Sequence, residues 1–154
     1  MANNQAIVEQ QTMTNRDKIN FLKRYVNLGR EIDRKFSECE RWRGRMGKIT
    51  ATYSSSPGGG GSIYKNKDLD VLNKIVDIEE EILQDYLNLI PIYQEISRII
   101  KKVKDDRERL LLEYRYLDDY KWEQVCYKMN YCWRQTHNLH SQALKKLNIE
   151  KDCI

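Results

Sequence analysis

The sequence predicts an all-α protein, a long antiparallel helical hairpin followed by a three-helix helix-turn-helix unit. Apolar residues recur every three, four or seven positions through two long stretches, as one face of a helix requires. The last third repeats that period in three short segments. The 154 residues contain only two prolines and few β-branched runs, which favours helix over strand.

Residues 1–14 are rich in Asn, Gln and Thr with little to bury, so a frayed tail is expected. From Asn15 to about Tyr53 the row Leu22, Tyr25, Ile32, Phe36, Cys39, Met46 and Ile49 predicts the first long helix, weakened locally by Gly29, Gly44 and Gly47. A loop is predicted over 54–62. Pro57 bars its neighbour from helical angles, and Gly58 to Gly61 have the chain entropy of a flexible linker.

The second long helix is predicted from about Lys67 to Lys104, with Leu72, Ile75, Val76, Ile82, Leu83, Tyr86, Leu89, Ile90, Tyr93, Ile96, Ile100 and Val103 on a near-heptad seam. Pro91 should kink or divide it. Two such helices joined by one loop fold back on each other most simply, giving a hairpin over 15–104; pairing between two chains is the competing arrangement.

A terminal unit is expected over 105–149, with residues 150–154 as a tail. Asp105 and Asp106 offer an N-cap for a helix holding Leu110, Leu111, Leu112, Tyr114 and Leu117, and the chain turns at Asp118-Asp119. A helix from Lys121 to Met129 presents Trp122, Val125, Cys126 and Met129 inward. Asn130 suits a left-handed turn, and Cys132 opens a last helix to about Leu147. Thr136, Leu139, Ala143, Leu144 and Leu147 face inward there, which leaves Trp133, Arg134, Gln135, His137, Asn138 and Ser141 outward.

The net charge of +4 allows a polyanion partner without demanding one. Four scattered cysteines and a polar N-terminus without an apolar core predict a reduced, cytoplasmic setting. Cys126, Cys132, His137 and His140 supply zinc-binding atoms, but their C-x5-C and H-x2-H spacing departs from structural zinc sites, so core thiols and groove-facing histidines are expected. Glu79, Glu80, Glu81 and Asp85 interrupt the most hydrophobic stretch, which argues against a membrane span. The Gly run lacks the spacing of a phosphate-binding loop, and no nucleophile-base assembly suggests an enzyme or a small-molecule substrate. No cofactor is expected.

The outward residues of the last helix suit groove reading of double-stranded DNA. Arg pairs with guanine, Gln and Asn pair with adenine, and His and Ser reach base edges or phosphate. The alternative is a solvated face. Between Lys121 and Leu147 the cations Lys121, Lys128, Arg134, Lys145 and Lys146 stand against Glu123 alone, which supports phosphate contacts, with Lys121, Lys128 and Lys145 as candidates. Asp118 and Asp119 are expected to point away from DNA, or toward a protein partner. Arg41, Arg43, Arg45 and Lys48 around Trp42 read better as a solvated helix face.

Leu112-x-x-Arg115-Tyr116-Leu117, Lys121-Trp122-Glu123-Gln124-Val125, Met129-Asn130-Tyr131 and Leu139-His140-x-x-Ala143-Leu144-x-x-Leu147 resemble small phage and prophage proteins with a sigma factor region 4-like helix-turn-helix. That group is similar to the RinA and ArpU late transcriptional regulators. The resemblance reaches back to the Ser/Pro/Gly loop and Ile75-Val76-Asp77-Ile78-Glu79-Glu80-Glu81-Ile82, and loosely to the first helix. It implies promoter binding through the last helix and cooperation with host RNA polymerase on late genes. It places Arg134, Gln135, His137, Asn138 and Ser141 toward DNA and Trp122, Val125, Leu139 and Leu144 in the core. The chain departs from the pattern at Cys132, where Ser is usual, and at Asn138, where a basic residue is common. A different reading is an interaction protein that inhibits a host factor through the hairpin or the helix-turn-helix, since fold does not fix function.

Overall fold

The computed structural model describes residues 13–54 and 63–149. The expected tails up to residue 12 and from residue 150, and the Ser/Pro/Gly segment 55–62, lie outside the described residues. Five helices make up the rest: α1 Asn15–Ser54, α2 Ile63–Lys101, α3 Asp106–Tyr116, α4 Trp122–Met129 and α5 Trp133–Lys146. Among the described residues there is no strand, and no helix is long and apolar enough to cross a membrane.

Helix α1 starts with a reciprocal cap. The Asp17 amide donates to Thr14 Oγ1 and the Thr14 amide donates to Asp17 Oδ2, so Thr14 belongs to the helix start rather than to a frayed tail. Those bonds hold the Asp17 carboxyl below its ordinary pKa. The helix runs unbroken through Gly29, Gly44 and Gly47. Helix α2 begins four residues earlier than expected and ends three earlier, and it passes through Pro91 as one helix instead of being divided there. Proline removes one backbone donor, a loss that packing along a helix this long outweighs.

The described chain forms two compact units, one over residues 24–96 and one made of residues up to 23 together with 97 onward. The boundary between these two units falls within both long helices.

In the first unit the pairings run in opposite directions. Arg24 meets Glu95, Tyr25 meets Tyr93, Lys35 meets Asp85 and Arg43 meets Glu79, which defines an antiparallel hairpin. Ile32, Cys39, Ile75, Ile78 and Ile82 form its core, with Leu28, Trp42, Met46, Val71 and Leu89 packed against them. Each fully buried aliphatic contributes about 1.5 to 3 kcal/mol, whereas the ion pairs, screened by solvent, chiefly set the pairing of the two helices. Half of the expected α2 seam stays exposed: Leu72, Val76, Leu83, Tyr86, Ile90 and Tyr93, as does Phe36 of α1.

In the second unit Phe21, Leu22, Ile99, Ile100, Val103, Leu111, Leu112, Tyr116, Val125, Ala143, Leu144, Leu147 and Ile149 are buried. Asp105 caps α3 by accepting the Arg107 amide at 2.9 Å. Lys18 donates to the Leu144 and Leu147 carbonyls at 2.8 and 2.7 Å, which satisfies the C-terminal end of α5 with a cation where the helix dipole favours one.

Candidate nucleic-acid interface

The presentation of α5 starts with the turn before it. Asn130 closes α4 in the left-handed conformation, with φ of 55°, and its neighbour's amide returns to the Cys126 carbonyl at 3.1 Å. Two residues later Cys132 is the N-cap of α5, and the Gln135 Oε1 accepts the Cys132 amide at 3.2 Å. The same device recurs at α4, where Gln124 Oε1 accepts the Lys121 amide at 2.8 Å. Gln135, expected to read adenine, therefore spends its carbonyl on its own helix and keeps only its amide NH2 for a ligand.

The buried side of α5 is anchored by Thr136, His140, Ala143 and Leu144. Thr136 bonds back to the Cys132 carbonyl at 3.1 Å. His140 Nε2 meets the Tyr116 hydroxyl at 2.8 Å inside the core. Burial pushes the His140 pKa down to about 4 and the Tyr116 phenol up to about 12, so at neutral pH both are uncharged. Leu139, expected inward, is half-buried.

His137 departs from its expected outward position. Its ring lies 4.3 Å from that of Trp122 and 4.6 Å from that of Trp133, and its Nε2 is buried without a hydrogen-bond partner. Two indoles hold a flat ring at helical spacing more favourably than water does. Both imidazoles pack against aromatic rings, His140 against Tyr116 and His137 against Trp122 and Trp133. The thiols are not core residues as expected, since Cys126 is half-buried and Cys132 exposed. Among the described residues no group of three or more His, Cys, Asp or Glu side chains converges as a metal site.

Arg134, Asn138, Ser141 and Lys145 stand exposed at intervals of four, three and four, one line along α5. Ser141 donates its hydroxyl to the His137 carbonyl at 3.0 Å, leaving its oxygen to accept. Trp133 is 53% exposed at the start of the helix. Helix α5 contains no acidic residue. Exposed Lys121 precedes α4, and the Lys128 ammonium sits 4.6 Å from the Tyr120 ring.

Lys146 is not free for a polyanion. It pairs at 2.5 Å with Glu108, which is 1% exposed and leaves its second oxygen unpartnered. Asp119 turns back toward Arg115, 4.0 Å away, while Asp118 is exposed. Two residues that periodicity passed over share the exposed surface: Gln142 on α5, and Tyr127 near the end of α4, 88% exposed. The signal for Tyr127 was its place one turn before the left-handed Asn130, outside the inward set.

No curated protein and no solved structure matches this chain. Residues 49–148, which are 100 of the 154, match the model of one protein family, spanning α2 and the whole of the three-helix unit. The chain belongs to that family, described as a protein of unknown function, DUF1492.

Proposed function

We propose that this protein is a phage-encoded, non-enzymatic transcription regulator that binds double-stranded DNA through α5 in the bacterial cytoplasm, acting with host RNA polymerase on late genes. The observation that carries the reading is the single exposed line of Arg134, Asn138, Ser141 and Lys145 on a helix without acids, set by a short turn behind α4. Near the helix start, Arg134 suits a guanine edge and Asn138 an adenine edge. Lys121, Lys128 and Lys145 suit backbone phosphates, and Trp133 a thymine methyl or sugar. The resemblance to sigma factor region 4-like regulators supports the same helix for the same task.

The test is enrichment of genomic fragments from the parent phage or prophage by the full chain, compared with Arg134→Ala combined with Asn138→Ala. Both side chains are exposed and neither caps the helix, so the variant keeps its fold. Enrichment of one promoter-proximal site, lost in the variant and falling steeply with salt, is expected. Enrichment of nothing, or equal enrichment by both proteins, overturns the reading.

A further inference from the structure

Helix α2 carries two apolar seams, and the hairpin uses one. The inner seam packs on α1 through Ile75, Ile78 and Ile82. On an adjacent face of the helix Leu69, Leu72, Val76, Leu83, Leu87 and Ile90 form a second row, each 44 to 62% exposed. The first and last of them lie about 31 Å apart along the helix. Tyr86 and Tyr93 extend the row toward α1, where they touch Phe36 and Tyr25.

We propose that this outer row is the interface with a second copy of the chain, packed antiparallel about a two-fold axis near Glu80. Two arguments select that occupant. Each of the eight side chains offers water on the order of 100 Å², so the row presents about 800 Å², one partner's share of a standard interface. Glu79 and Glu80 divide the row, and its apolar area taken together is more than a monomer ordinarily leaves on one face.

The second argument is the distribution of charge. The apolar row has one interruption, at Glu79 and Glu80, and it falls at the middle. Reversing the helix therefore matches apolar ends to apolar ends. Tyr86 to Gln94 contains no charged residue, so the antiparallel copy sets the Asp68 and Asp70 end against an uncharged segment. A parallel copy would set every acid beside its own duplicate. Glu79 is already paired with Arg43 of its own chain, which leaves Glu80 as the unneutralised charge at the axis. This inference does not depend on DNA binding.

Sedimentation of the full chain from about 0.1 to 100 µM tests it, a range in which interfaces of this area associate. A dimer is expected, and Leu83→Glu, at an exposed position, should weaken it about 100-fold with helicity unchanged. Glu80→Gln should tighten it, a direction no loss of folding can mimic. With Cys39, Cys126, Cys132 and Cys153 replaced by Ala, Glu80→Cys should cross-link to itself and Leu69→Cys should not. A monomer throughout, a dimer indifferent to Leu83→Glu, or cross-linking at Leu69→Cys as readily as at Glu80→Cys overturns the proposal.

Discussion

The buried His140 makes the terminal unit sensitive to acid in a calculable way. Its imidazole is 7% exposed and bonded to the Tyr116 hydroxyl, and burial lowers its pKa from 6.5 to about 4. Between about pH 6.5 and about pH 4 the unfolded chain takes up a proton that the folded chain refuses. Stability is thus present in full above the unfolded pKa and lost as pH falls, by about 3 kcal/mol over that window. Asp17 and Asp105, held below their ordinary values by bonds to Thr14 and Arg107, lose their contributions further to the acid side. The assay is urea unfolding at steps from about pH 7 to about pH 4.5, followed by indole fluorescence, because Trp122 lies 4.9 Å from His140. His140→Leu should be less stable at neutral pH, since it strands the Tyr116 hydroxyl, yet its stability should fall less steeply with acid. An equal slope in both proteins, or an NMR titration of His140 centred near 6.5, would refute the reasoning.

Other outcomes follow from the turn, the cap and the exposed line. Asn130→Gly should leave stability nearly unchanged, whereas Asn130→Val, forced to a φ of 55°, should cost about 1 to 2 kcal/mol in thermal unfolding. Lys18→Met should destabilise by about 1 to 3 kcal/mol by releasing the Leu144 and Leu147 carbonyls; hydrogen exchange should show the loss at the end of α5 first. In DNA titrations, Arg134→Ala should cost about 1 to 3 kcal/mol at one base position, while Lys145→Ala should weaken all sequences alike and lower the salt slope by about one.

Much of this architecture was legible because single residues dictate local geometry. Asp105 can cap, Asn130 can turn left-handed, and the three-and-four spacing of Ile75, Ile78 and Ile82 can face only one way. Periodicity failed where one helix had two apolar sides: Leu72, Val76 and Ile75 all fit a seam, and only the position of α1 decides which are covered. It also failed at the histidines. Outward placement of His137 followed from helix phase, but an indole on each side of its ring outweighs hydration, and those neighbours include Trp122 from another helix. Gln135 looked like a base reader because its partner, the Cys132 amide, belongs to the backbone and has no sequence signature beyond a three-residue interval.

The two long helices divide charge unequally. Helix α1 holds eleven Lys and Arg against five acids, and α2 holds five against eight. That division favours pairing of α1 with α2 over pairing of like helices. Bare α2 segments repel one another across a screening length of about 8 Å, as do bare α1 segments, so the attractive encounter is α1 with α2. Once Lys35 has seated beside Glu81 and Asp85, and Arg43 beside Glu79, three of the eight acids of α2 are neutralised within the hairpin. Closing the hairpin therefore lowers the like-charge repulsion that α2 presents to its surroundings.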